Sequence, residues 1–143
     1  MADKLGGFQA SGYTDRHAGV KASETIYLGN FVRYDANGVA ETADTDVSTA
    51  GLDVIGVAKK QADNSSGSDG DIDVEIAQKP SSLIVASTGL TIADCGHPVS
   101  ISDAQTVKAM ANRSIGVMVR LISTDLVEID MTRRETGIVA DIT

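Results

Sequence analysis

With 143 residues, 42% of them hydrophobic, the chain has the size and composition of one folded domain rather than a disordered segment. Twelve Lys and Arg against twenty Asp and Glu leave a net charge of −8, which excludes the basic footprint of a nucleic-acid binder. Aromatic residues at 3%, with no Trp, exclude a stacking platform, and the single cysteine excludes an intramolecular disulfide.

Residues 1–24 are polar and small, with Gly6, Gly7, Gly12 and Gly19 spaced through them and no apolar period of 2 or 3.6. The expectation is an extended N-terminal arm with little order of its own. Met1 to Phe8 lacks the apolar stretch of a signal peptide, and no run approaches the ~18 apolar residues of a membrane span. The chain is therefore expected to be made and to mature in a cytoplasm as a soluble protein.

From residue 25 the pattern is β. Thr25-Ile26-Tyr27-Leu28 leads into Phe31-Val32-Arg33-Tyr34, and Asp35-Ala36-Asn37-Gly38 then predicts a hairpin turn of type I′, in which both Asn and Gly take positive φ. Val54 to Ala58 is a short apolar run between turn signals, as in a buried strand. Residues 63–70 contain no apolar side chain and predict an exposed loop. Residues 71–76 alternate acids with Ile and Val, as in a half-buried strand with a wet outer face. Further strands are expected at Leu83-Ile84-Val85-Ala86, at Pro98-Val99-Ser100-Ile101 with Thr106-Val107-Lys108, at 115–121 and at 126–131. A helix over 103–112 is the alternative to the hairpin there, and its weak apolar stripe disfavours it. Residues 132–143 read as a tail, in which Ile138-Val139 has the composition of a short edge strand.

The two halves share an order of short patterns. Ile55-Gly56-Val57 reappears as Ile115-Gly116-Val117, sixty positions later. Each copy follows a strand (Val32-Arg33-Tyr34, Val99-Ser100-Ile101), and each precedes Val-Glu-Ile (Val74 to Ile76, Val127 to Ile129). Two copies are too few for a solenoid, so the expected fold is all-β: a small β-barrel or β-sandwich built from two diverged β-units over residues 25–131.

Catalytic chemistry finds little support. Asp94-Cys95-Gly96-His97 brings a thiol and an imidazole close in sequence, but nucleophile and base are assembled by the fold and no motif surrounds this pair. The expectation is a tight turn before Pro98. Zinc would have only Cys95, His17 and His97 as soft ligands. The acids from Asp69 to Glu75 imitate the first positions of a calcium loop, but Ile72 and Val74 lie between them and Pro80 stands at the twelfth position. No enzymatic activity, metal or cofactor is expected.

In this order of elements, the strand Val54 to Ala58, the Gly/Asp-rich turn at Ser68 to Asp73 and the strand Ile115 to Met118 resemble the bacteriophage head-decoration, or capsid-cement, proteins. The resemblance covers residues 25–131. It implies a virion structural protein bound to the outside of the capsid, usually as a homotrimer, which bridges neighbouring major capsid protein subunits without touching nucleic acid or membrane. The alternative is another phage β-module from a tail tube, baseplate or head-fibre attachment. On this reading the arm docks on the capsid through Phe8, Tyr13, Arg16 and Val20, and the basic pair Arg133-Arg134 is a further candidate contact.

Overall fold

The computed structural model describes residues 9–46 and 53–133. Thirteen strands and one short 3-10 turn make up its regular structure, with no α-helix among the described residues. The described residues are all-β and form two β-units, as expected: each is a five-stranded barrel, the second closed by strand pairing and the first by a single bridge.

In the first barrel β2 (Thr14–Gly19), β8 (Asp73–Gln78), β6 (Val54–Ala58), β4 (Phe31–Tyr34) and β5 (Ala40–Thr42) are neighbours in that order, all antiparallel. A parallel bridge from Val20 to Ala40 joins the two outer strands. In the second, β9 (Ser82–Ser87), β13 (Leu126–Asp130), β12 (Gly116–Ser123), β10 (Pro98–Asp103) and β11 (Thr106–Ala109) follow one another, and β11 pairs back with β9 in parallel. Closure removes the long open edges that would otherwise invite aggregation.

The correspondence holds residue by residue. Phe31 and Val32 face Val57 and Gly56, as Pro98 and Val99 face Val117 and Gly116. Ala58 faces Ile76 as Met118 faces Ile129. Ala18 faces Val74 as Val85 faces Val127, and Val20 meets Ala40 as Ser87 meets Val107. Even the turns before β4 and β10 match. Gly29 (φ +88°) donates to Ala58 O at 2.9 Å and Gly96 (φ +85°) to Met118 O at 2.8 Å. The chain is a duplicated barrel.

Residues 9–24 are therefore not a loose arm. β1 (Ala10–Ser11) pairs with β9 on the second barrel, and β2 supplies the strand that the first barrel needs for closure. Ala18 and Val20, 7% and 0% exposed, point into the first core with Ile26, Val32, Ala40, Val74 and Ile76. Truncation at residue 24 would remove a barrel wall and leave that core open.

β8 covers most of the alternating run, with Val74 and Ile76 buried and Asp73 exposed. The hairpin β10–β11 occupies 98–109 in place of a helix. The turn after β4 is not type I′, because Gly38 alone takes positive φ (+81°) and Asn37 does not. Asp35 accepts from Asn37 N and Val39 N, and this gives a three-residue loop whose glycine supplies the left-handed position. Within 63–70 the first two residues belong to β7 (Ala62–Asn64), which pairs with β3 (Glu24–Ile26). The buried Asn64 amide donates to Val20 O, Lys21 O and Ser68 O, stitching the exposed loop to the first barrel.

The barrels meet at a buried joint. Phe31, Ala43, Val54 and Val57 of the first barrel belong to the hydrophobic cluster of the second. Phe31 N donates to Ala104 O at 2.8 Å, and Gln105 Nε2 donates to Asn30 Oδ1 at 2.7 Å. The Asp46 carboxylate accepts from Asn112 N and Arg113 N at 2.8 and 3.0 Å.

Candidate functional site

The residues expected to contact a partner do not converge. Phe8 and Arg134 lie outside the described residues. Tyr13 is half-buried in the turn between β1 and β2, with Lys59 Nζ 4.9 Å above its ring. Lys59 also pairs with Asp15. Arg16 is exposed on β2 and donates to Gln78 Oε1. Val20 is wholly buried and unavailable as an anchor, because the residue that closes a barrel must face its core. Arg133 is exposed at the end of the described chain.

The thiol and imidazole are also separated in role. Cys95 packs against the second core, whereas His97 is exposed and its backbone accepts from Met118 N. The Asp69 carboxylate accepts from Ala22 N and ties the loop to the segment after β2, and Asp71 accepts from Ser68 N within the loop. Among the described residues no three His, Cys, Asp or Glu side chains converge as metal ligands.

Two places have a defined shape. One is a shallow polar hollow of about 230 Å³ at the joint, lined by Glu24, Thr25, Asn30, Thr42, Asp44 and Ala104. Its buried amide, Asn30, donates to Thr42 Oγ1 and accepts from Gln105 across the joint, and Glu24 accepts from Thr42 N, so these polar groups are already engaged within the fold. The other is the end of the second barrel around β12. Val119 and Ile122 are exposed there, and the 3-10 turn Ile92–Asp94 packs beside the strand. Sequence reasoning passed over these residues. The signal was present: six residues from Val117 to Ile122 contain five apolar side chains, a run that cannot alternate in and out along a regular strand.

Beside the joint, β5 is fixed by a charge network. Glu41 receives Arg33 Nε at 2.8 Å and Lys21 Nζ at 3.0 Å. Burial pushes the Glu41 carboxyl up, but the bonds from Arg33 and Lys21 outweigh it and hold the group below the usual carboxylate range. Lys21 is raised in turn, chiefly by its bond to Glu41. A carboxylate depressed in the folded state stabilises the fold above its unfolded value near 4.5 and loses that contribution as pH falls through the folded value. Glu41→Gln is expected to lower stability at pH 7 by about 1–3 kcal/mol, as for other charge-assisted bonds. The gap to the unmodified protein should shrink below pH 4.5. Urea midpoints of both proteins at pH 7 and in acid check this, and a gap that widened in acid would contradict the sign.

No protein-family model matches the chain, and no curated protein aligns with it significantly.

Proposed function

We propose that the chain is a structural protein of a bacteriophage particle that decorates the outside of the capsid and stabilises it by bridging neighbouring major capsid protein subunits. The observation that carries this reading is the duplication. Two barrels of one design, fixed to each other by a buried joint, offer two related outer surfaces at a set separation. A clasp between neighbouring copies of one shell protein has need of such a pair of surfaces. The resemblance of the strand order to capsid-cement proteins points the same way. So does the net charge of −8, which keeps an outer-surface protein from straying onto packaged nucleic acid.

On this reading the protein acts by contact area and catalyses nothing. It sits on the virion as a homotrimer and uses no cofactor. A ligand that binds only the assembled shell stabilises it by mass action, about 2.7 kcal/mol per site at a hundredfold excess over Kd, repeated over every site. Electron cryo-microscopy of particles made with and without the full chain is the test. The expected result is paired-barrel density across neighbouring capsid subunits, together with a lower rupture temperature when it is missing. Density stacked along the tail, or particles of equal composition and heat resistance, would overturn the reading.

A further inference from the structure

The chain has four asparagines, and the fold treats one of them differently. Asn30 and Asn64 are buried with their side-chain amides held. Asn30 Nδ2 donates to Thr42 Oγ1 and its Oδ1 accepts from Gln105, while Asn64 Nδ2 donates to three backbone carbonyls. Asn112 Nδ2 donates to Asp46 O at 3.2 Å. Asn37, in the loop between β4 and β5, is exposed, and its side chain has no partner among the described residues. The residue that follows differs too. Phe31, Ser65 and Arg113 each carry a side chain beside the next peptide bond, whereas Gly38 is exposed and a Cβ built on it would meet nothing within 4 Å.

We infer that Asn37-Gly38 is a self-modification site, at which the Asn37 side-chain amide is exchanged for an acid by water and the seam that closes the first barrel is loosened. The reacting groups are neighbours on one chain, so the step needs no enzyme and no cofactor. The Gly38 nitrogen attacks Asn37 Cγ and closes a five-membered succinimide. The Cγ–Nδ2 bond breaks, and Nδ2 leaves as ammonia with the proton of the Gly38 N–H. Water then opens the ring at one of its two carbonyls. Opening at Cγ leaves an ordinary aspartyl side chain, and opening at the main-chain carbonyl leaves isoaspartate, whose main chain is one carbon longer. The net exchange is ammonia for water.

The loop has little slack for either product. Asp35 Oδ1 accepts from Asn37 N at 2.8 Å and from Val39 N at 3.2 Å, and Gly38 N donates to Asp35 O at 3.1 Å. Ring closure removes that last donor, and hydrolysis sets a second negative charge beside Asp35. The extra carbon of isoaspartate lengthens the path from Asp35 to Ala40. Ala40 is where the first barrel closes: it bridges Val20, and its carbonyl accepts from Lys21 N at 2.9 Å. The second barrel closes by pairing β9 with β11, and neither strand contains an asparagine.

The full-length protein and Asn37→Ser are to be aged side by side in warm, weakly alkaline buffer, which favours loss of the Gly38 amide proton. Tryptic fragments are then weighed by mass spectrometry. The fragment 34–59 contains Asn37 and no other asparagine. It should gain the mass of an amide-to-acid exchange and split into two chromatographic species. Fragments carrying Asn30, Asn64 and Asn112 should keep their mass about tenfold longer, as expected for groups that react only when the fold opens. Amide exchange at Lys21 should quicken in the aged protein and stay slow at Thr106 and Val107, while Asn37→Ser should show neither change. An unaltered fragment 34–59, or equal reaction at the other asparagines, would overturn the site. Modified protein with unchanged exchange at Lys21, or equal quickening in Asn37→Ser, would overturn its link to barrel closure. None of these outcomes depends on the decoration reading.

Discussion

Phe31→Ala is expected to cost about 3–5 kcal/mol, the range for truncating a wholly buried Phe. That is a large share of the 5–15 kcal/mol by which a typical folded protein exceeds its unfolded state. The cost has a particular location. On β4, Val32 points into the first barrel, and Phe31, its neighbour on the opposite face, enters the cluster of the second. The backbone bond from Phe31 N to Ala104 O survives the substitution, and so does the bond from Gln105 to Asn30. What disappears is the apolar plug between the barrels, replaced by a void that their closed walls cannot collapse to fill. The variant should therefore unfold in two steps, with the barrels separating in stability, whereas the unmodified chain should unfold in one. Urea titration followed by far-ultraviolet circular dichroism, with amide exchange to assign each step to a barrel, measures both effects. A loss below 1 kcal/mol would show that the polar contacts alone hold the joint.

Phe31 also marks the limit of what alternation reveals. Period-2 patterning identifies strands and says which residues share a face, and it located β4, β6 and β8 to β13 because those strands bury Val, Ile and Leu. It cannot say whether the opposite face meets water or a second barrel. In the run Phe31-Val32-Arg33-Tyr34 nothing distinguishes a Phe31 that faces water from the fully buried Phe31 of the structure.

β2 was illegible for a different reason. Its sequence, Thr-Asp-Arg-His-Ala-Gly, places only Ala18 in the core, and Arg16 stands where the second barrel has the buried Leu83. A wall so small and polar carries no apolar period, and its partner β8 dictates its register. The trace that could have revealed it lies in the repeat: Gly29-Asn30-Phe31-Val32 corresponds to Gly96-His97-Pro98-Val99, so the chain before each must perform the same task. Of the candidate contacts placed on the supposed arm, Tyr13, Arg16 and Val20 dispersed into the fold. The apolar end of β12 escaped notice because bulges break the pattern by which apolar strand residues are read as buried.

The close strand approach that both units share is tested by a matched pair of substitutions. Gly56 and Gly116 occupy equivalent places, and each lets a neighbouring strand come close. A Cβ added at Gly56 would lie 2.2 Å from Ala77 O, and one at Gly116 would lie 2.7 Å from Asp130 O, the equivalent atom in the second barrel. Both obstacles are backbone, held by strand pairing, so neither can swing aside as a flexible side chain would. Propensity alone predicts the opposite sign, because Ala in a strand interior loses less conformational entropy than Gly, by roughly 0.5–1 kcal/mol. Steric overlap should prevail. Inserting one methyl into a packed interior costs about 1–3 kcal/mol when the surroundings can adjust, and more when they cannot. Gly116→Ala is expected within that range, and Gly56→Ala above it, since its approach is closer and Ile76 Cγ2 adds a second contact at 2.8 Å. The ranking separates steric approach from a general intolerance of strand substitution. If the two melting temperatures fell equally, closeness of approach would not set the cost, and if either rose, the close strand approach would not be what the glycine of Ile-Gly-Val provides.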